Sequence, residues 1–357
     1  MQTLYDYKTP LRAFARTGNS KIVDFILRKK IFVDEFDEWH KALKYAAIYG
    51  YVNVAKLLKP QRYRNILAIE YASRHGHLEV LKVLIDDDPK AMDLDYYTIW
   101  TGAFSGKIEV LEYFERLNND WFEKALLKRV GLDQTIIHYL AEDGHLEIIK
   151  YLCQKALFKN PIQNDSLGST PIYYAAGKGH LEIVKFLAPY TSNPNATGKD
   201  GDTPIHYAAE EGHLEVVKFL ASNTSNPNAA RCDGRTPIHS AAEKDHLEVV
   251  KFLALNVTNP NVADQYGETP IHLAATEGHL EVVKFMALHT SNPNAAKQNG
   301  RTPIHKAAEN GHLKVVKFLA SYSSTLNSPD SMGMTPSKLA RRNGFLNVDA
   351  YFLELES

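Results

Sequence analysis

The chain has 357 residues, 44% hydrophobic and 23% charged, which excludes an intrinsically disordered polypeptide and allows a sizeable core. Its 41 lysines and arginines balance 42 aspartates and glutamates, so neither a dedicated nucleic-acid binder nor a binder of anionic membranes is expected. Two cysteines, Cys153 and Cys232, match no metal or redox spacing and point to a reducing compartment, and no run has the length of apolar sequence that a membrane span needs.

The start, MQTLYDYKTPLRAF, lacks the basic and apolar regions of a secretory signal, so an intracellular protein, cytoplasmic or nuclear, is expected. The N-x-S/T sequences at Asn164, Asn195, Asn223 and Asn256 are then chance products of Asn/Ser/Thr-rich loops. From Thr9, TPLRAFARTGNSKIVDFIL reads as two short helices around a turn. The pattern returns from Lys41 (KALKYAAIYGYVNVAKLL), Leu67 (LAIEYASRHGHLEVLKVLI), Tyr97 (YTIWTGAFSGKIEVLEYF) and Thr135 (TIIHYLAEDGHLEIIKYL). The steps are uneven, at 32, 26, 30 and 38 residues, then 35 to Thr170. A step of 26 leaves no room for a projecting loop, whereas 38 leaves room for extra structure around Asn118 to Phe122. All three tryptophans lie in this irregular third. Trp100 occupies a helix position and is expected in the core. Trp39 and Trp121 fall near junctions, where core and interface-anchor roles both stay open.

From Thr170 the period settles at 33 residues. Thr170-Pro171-Ile172-Tyr173 is followed by Thr-Pro-Ile-His at Thr203, Thr236, Thr269 and Thr302, and by Thr335-Pro336-Ser337-Lys338. Two further blocks recur, GHLEVVKFLA (Gly212 to Ala221) and TSNPNA (Thr224 to Ala229). The Thr203 hydroxyl is suited to capping free N–H groups, and Pro204 to the first helical position, where no N–H is needed. His206 is placed to reach back to that threonine, as a glutamate does in a capping box. Ile205, Ala208 and Ala209 make one apolar stripe, and Gly212 ends the helix. Leu214, Val216, Val217, Phe219 and Leu220 then make the apolar face of a second helix, with Glu215 and Lys218 outward. The Ser-Asn-Pro-Asn stretch is a turn or loop. One such pair cannot bury both its faces, so neighbours must stack.

The TPxH…A-A…G-H-L-E-V-V pattern at this period resembles the ankyrin-repeat family, over the whole chain in eleven units. The resemblance implies an all-α solenoid of stacked helix-turn-helix units with projecting β-hairpin loops, elongated and curved. We divide it into four divergent repeats over 1–134, six repeats over 135–334 (regular from about 165), and a capping repeat over 335–357. The family's Gly-Ala-Asp before the hairpin is replaced here by Thr-Ser-Asn, so Asn223 or Thr224 is expected to take the chain reversal in left-handed geometry. The last helix is expected over Phe345 to Leu355, with no effector domain attached.

Of the 15 histidines, 12 sit at the two repeat positions. Stacked repeats lie roughly 10 Å apart, too far for side chains of one column to share a metal. Capping and structural hydrogen bonds are expected of them, with no metal, cofactor or catalytic group. The loop asparagines Asn195, Asn228, Asn261 and Asn294 are expected to fix their loops. By resemblance they also occupy the position modified by the intracellular asparaginyl hydroxylase of hypoxia signalling, which favours a leucine eight residues earlier. Leu187, Leu220 and Leu253 stand there, and Met286 in the fourth copy.

Positions that vary between otherwise near-identical copies lie at the loop tip and just before the Gly-His turn, which in the family line a concave groove. They are Leu167, Gly177 and Lys178, then Lys199, Asp200, Asp202, Glu210 and Glu211. The next copy contributes Cys232, Asp233, Arg235, Glu243 and Lys244, and the one after it Gln265, Tyr266, Glu268, Thr276 and Glu277. The last set is Gln298, Asn299, Arg301, Glu309 and Asn310. Mixed charge suits a protein or peptide. The expected function is a monomeric, non-catalytic interaction scaffold that binds no nucleic acid or membrane. The alternatives are an adaptor that brings a substrate to a separate enzyme complex and a spacer with no specific ligand.

Overall fold

A computed structural model describes residues 10–31, 36–59, 66–85, 95–155, 158, 160–322 and 326–356. Thr9, expected to open the first helix pair, lies outside them. The chain forms two compact units, Met1–Pro161 and Ile162–Ser357. The pair that opens at Thr135 therefore belongs to the first unit.

The first unit holds α1 (Pro10–Arg16) and α2 (Ser20–Arg28), α3 (Phe36–Tyr49) and α4 (Val52–Leu58), α5 (Ile66–Arg74) and α6 (Leu78–Ile85), and α7 (Tyr96–Phe104) and α8 (Ile108–Leu117). An unpaired helix, α9 (Asn119–Leu126), precedes α10 (Ile136–Asp143) and α11 (Leu146–Cys153). The second unit holds α12 (Pro171–Gly177) and α13 (Leu181–Leu187), α14 (Pro204–Glu210) and α15 (Leu214–Ser222), α16 (Pro237–Glu243) and α17 (Leu247–Leu255). It continues with α18 (Pro270–Glu277) and α19 (Leu280–Leu288), α20 (Pro303–Glu309) and α21 (Leu313–Ala320), and α22 (Pro336–Arg342) and α23 (Leu346–Glu356). The described residues thus contain all eleven expected pairs. In each unit first helices pack on first helices and second on second. Alanines such as Ala208, Ala209, Ala241 and Ala242 are wholly buried where first helices meet, because only small side chains allow that approach.

Extra structure in the 38-residue step is α9, capped by Asn118, whose side chain accepts from the Trp121 N–H. Trp100 is buried and takes the place of the repeat histidine. Its indole N–H donates to the Ala125 carbonyl at 2.9 Å, so the inserted helix replaces the neighbour that a regular repeat would use. Trp39 and Trp121 are half-buried.

The projecting loops are tighter than a β-hairpin. Among the described residues there is one isolated bridge, Val130 to Gln134, and no strand. In the second unit pairs of backbone bonds close the tips: Gly198 N–H to Asp202 O at 2.8 Å with Gly201 N–H to Gly198 O at 3.1 Å, and Arg231 N–H to Arg235 O at 2.8 Å with Gly234 N–H to Arg231 O at 2.9 Å. Each tip also bonds to the next, as Cys232 N–H does to Asp200 O at 2.9 Å. The left-handed reversal expected at Asn223 or Thr224 is absent: Asn223 has φ −114°, and neither residue has positive φ. The helix end is closed another way, by the Asn223 side-chain amide donating to the Phe219 carbonyl at 2.7 Å, and Asn256 repeats this on Phe252. A side-chain donor on the last free carbonyls makes a left-handed residue unnecessary.

Left-handed geometry lies instead between the paired helices. Gly179, Gly212, Gly278 and Gly311 all adopt it, and Asp245 is forced into it at φ 63°. A non-glycine residue there costs about 1 kcal/mol, so Asp245→Gly is expected to stabilise the second unit by about that amount. The Asp245 carboxylate lies 3.7 Å from His279 Nδ1, and a urea midpoint that falls would show that this contact outweighs the strain.

Candidate interaction surface

In the repeats that open at Thr203, Thr236 and Thr269, two histidines join each repeat to both neighbours. The His206 ring accepts at Nδ1 from the Thr203 N–H at 3.3 Å, with the Thr203 hydroxyl at 2.9 Å, which completes the expected capping box. Because Nδ1 accepts, Nε2 carries the proton, and it donates to the Arg235 carbonyl of the next repeat at 3.2 Å. His239 and His272 repeat this onto the carbonyls of Glu268 and Arg301. The second histidine reaches backward: Nε2 of His213, His246, His279 and His312 donates to the carbonyls of Gly177, Glu210, Glu243 and Thr276 at 2.9–3.0 Å. Burial holds His206, His239 and His272 down to about 4; beside His206, Arg231 pushes the same way against Asp202.

The positions expected to line a groove fall into two sets. Lys178, Lys199, Asp200, Glu211, Cys232, Lys244, Gln265, Tyr266, Glu277, Gln298, Asn299 and Asn310 are exposed, Tyr266 at 61%. Leu167 is exposed and Gly177 buried; on Gly177 the Tyr207 ring rests so closely that a Cβ would meet it. Asp202, Glu210, Asp233, Arg235, Glu243, Glu268, Thr276, Arg301 and Glu309 are half-buried. Most of this second set is turned toward the protein's own charges. Asp202 accepts from Arg231 Nε at 2.7 Å, and Glu210 lies 3.5 Å from the same guanidinium. Arg235 spans Glu243 at 3.2 Å and Asp264 at 3.6 Å. Glu268 meets Lys297 at 2.8 Å and Lys306 at 3.1 Å. Arg301 meets Glu309 at 2.8 Å and Asp330 at 3.0 Å.

These contacts form a ladder. The residue before each Thr-Pro is Asp202, Arg235, Glu268 or Arg301, and it pairs with the loop residue 29 positions later: Arg231, Asp264, Lys297 or Asp330. The sign reverses at every successive interface. Burial alone would raise the Glu268 carboxyl, but the bonds from Lys297 and Lys306 prevail and hold it down at about 2. Asp264 and Asp330 have a second task, each accepting backbone N–H bonds that shape its own loop. Arg231, Lys297, Lys306, Asp264 and Asp330 were not among the expected residues. The signal for them was alternating charge at a spacing of 29, visible only once that spacing is known to join neighbours.

The asparagine column also divides. Asn195 is buried and its Oδ1 accepts from the Ile205 N–H at 3.0 Å, fixing the loop. Asn228, Asn261 and Asn294 are half-buried, with Oδ1 atoms that are buried and unpaired. Leu187, Leu220, Leu253 and Met286 are all wholly buried or nearly so.

Among the described residues no helix is long and apolar enough to cross a membrane. A family model described as "Ankyrin repeats (3 copies)" matches residues 103–198, 159–231, 190–264, 223–297, 253–330 and 272–356, well over half of the chain. No curated protein matches it.

Proposed function

The chain belongs to the ankyrin-repeat family, and from that premise we propose that it is a non-catalytic scaffold binding a protein or peptide along the loop tips and first-helix row of its second unit. Ankyrin repeats are generally protein–protein interaction modules, and the family is typically non-catalytic. The observation that carries the reading is the division within the variable positions. The charged ladder is consumed by the fold, while an outer set with exposed side chains varies from copy to copy around the Tyr266 ring. An exposed aromatic held on a tip tied to its neighbours is a favourable anchor, because little backbone freedom is left to lose on binding. The ladder charges are already paired within the stack, so binding there draws on the Tyr266 ring and on the exposed charges of mixed sign, Lys199, Asp200, Glu211, Lys244 and Glu277 among them.

The test is a pull-down from the native cell with Tyr266→Ala and Glu277→Lys, which alter exposed residues only. Partner recovery is expected to fall about tenfold, the effect of losing roughly 1.4 kcal/mol at an anchor. Recovery unchanged in both variants would remove the groove reading and leave the spacer; co-recovery of an enzyme complex would favour the adaptor. Arg235 and Glu268 are unsuitable for this purpose, since reversing them breaks the ladder. We place the protein as a monomer in the cytoplasm or nucleus, with no nucleic-acid or membrane ligand.

The asparagines carry a second, conditional proposal. An enzyme that grips the side chain eight residues before Asn228 must first draw the buried Leu220 out of the core. Loosening the protein with mild urea before incubation with such a hydroxylase is expected to raise the oxygen added to the Asn228 peptide, read by mass spectrometry. Equal addition to the folded protein would show that the loop is modified as it stands.

A further inference from the structure

Asparagine is followed by glycine three times, at Asn299, Asn310 and Asn343. All three asparagines are exposed, but the fold holds them differently. Asn310 and Asn343 close the ends of α20 and α22, and each amide nitrogen donates to a backbone carbonyl: Asn310 to Lys306 at 3.0 Å, and Asn343 to Glu309 at 2.7 Å. Their glycines make the left-handed turns into α21 and α23, so moving either peptide unravels a helix end. Asn299 stands instead on a loop tip. Its Oδ1 accepts from the Arg301 N–H at 3.2 Å, while its amide nitrogen has no protein partner among the described residues.

We propose that Asn299 is a site of spontaneous deamidation, which converts a neutral tip into an anionic one. The Gly300 nitrogen gives up its proton to hydroxide and attacks the Asn299 side-chain carbonyl carbon. A C–N bond forms, the bond to Nδ2 breaks, and that nitrogen takes a proton from water and leaves as ammonia. Water then opens the cyclic imide. Cleavage at the side-chain carbonyl yields aspartate, and cleavage at the main-chain carbonyl yields isoaspartate.

The tip favours the first step. Gly300 brings no Cβ to obstruct the approach of its nitrogen. The Arg301 N–H already donates to the oxygen on which negative charge grows, as a donor does in an oxyanion hole. Turning the peptide breaks two bonds, Gly300 N–H to Lys297 O at 2.8 Å and Ser331 N–H to Asn299 O at 2.9 Å. Openings confined to an exposed loop cost less free energy than those that undo a packed helix.

The product already has a place in the fold. The tip two repeats earlier reads Asp233-Gly234-Arg235 where this one reads Asn299-Gly300-Arg301, and Asp233 Oδ1 accepts from the Arg235 N–H at 3.0 Å, as Asn299 does from Arg301. Aspartate at 299 thus adds charge and keeps the tip. Isoaspartate lengthens the main chain by one carbon beside the Ser331 bond and loosens the tie between the last two tips. The site rests on the chemistry of the tip and not on the groove reading, although Asn299 belongs to the exposed set which that reading uses.

The test is ageing of the full chain at neutral and mildly alkaline pH in water labelled with heavy oxygen, then digestion after lysine in ordinary water. Each Asn-Gly falls in its own peptide: Gln298–Lys306, Ala307–Lys314 and Leu339–Ser357. Labelled aspartate and isoaspartate are expected in Gln298–Lys306 about ten times faster than in the other two, and faster still at the higher pH. In urea the three rates are expected to converge, because the folded chain makes the selection. Asn299→Asp is expected to keep the urea midpoint of the parent. No label at Asn299, or equal rates in the folded chain, would overturn the assignment. A preference unchanged in urea would overturn its structural basis, and a lowered midpoint in Asn299→Asp the fit of the product.

Discussion

Acidification from pH 7 to pH 4.5 is expected to cost the second unit on the order of 6 kcal/mol or more, with three histidines carrying most of the loss. His206, His239 and His272 are at most 1% exposed, and burial lowers each from 6.5 to about 4. A proton added at Nδ1 would oppose the Thr203, Thr236 or Thr269 N–H that already donates there. Between pH 6.5 and 4 the unfolded chain takes up these protons and the fold does not. Stability therefore rises with pH across that window, is complete above it, and is lost as the pH falls through it. At pH 4.5, roughly two units below the unfolded value, each histidine accounts for about 3 kcal/mol at 1.4 kcal/mol per unit. A domain holds only about 5–15 kcal/mol, so the effect approaches the whole. Glu268 acts in a separate and lower window, from 4.5 to about 2, again losing stability with acid. Urea unfolding against pH measures the slope. His239→Gln is expected to lower stability at pH 7 and to flatten the slope by one proton, and an unchanged slope in that variant would exclude the histidine column as its source.

Reversing one rung of the charge ladder is expected to cost about 2–3 kcal/mol, and reversing its partner as well to recover most of that. Asp202→Arg alone sets a guanidinium against Arg231, in a pair whose side chains are 26 and 22% exposed, and leaves the Tyr173 hydroxyl without its acceptor. Asp202→Arg with Arg231→Asp recreates the arrangement that Arg235 and Asp264 make at the next interface. Glu210 then stands to residue 202 as Glu243 stands to Arg235, eight positions on. The urea midpoint of the double variant is expected within about 1 kcal/mol of the parent. A double variant no better than the single one would mean that the ladder follows from the stacking and does not help to specify it. With opposite polarity at successive interfaces, a repeat displaced by one position would set like charges together, a penalty that acts against misregistered neighbours.

Much of this was legible in the residue order. Thr-Pro before an apolar stripe predicts a helix start, and the histidine three positions on predicts the reciprocal cap, because both are contacts within one turn. The 38-residue step located α9 for a similar reason, since chain length limits what can be built between two fixed helices, and Trp100 was placed in the core by its helix position within the repeat. The helix end at Asn223 was misjudged. The family's glycine suggested a left-handed residue, but a side-chain amide reaching Phe219 does the same work at ordinary dihedrals.

The sequence by itself determined the repeat, its period, the helix pairs and their caps, all consequences of contacts fewer than a dozen residues apart. It also marked the variable positions, though not which of them were exposed and which were turned into the stack. That division was decided by the tertiary structure. Whether Arg235 faces a partner or Asp264 depends on a neighbour 29 residues away, and whether Lys44 lies on a carboxylate or on Tyr71 depends on one 27 residues away. An ion pair and a cation on a ring leave the same lysine or arginine in the sequence. They differ only in which side chain the stack sets beside it.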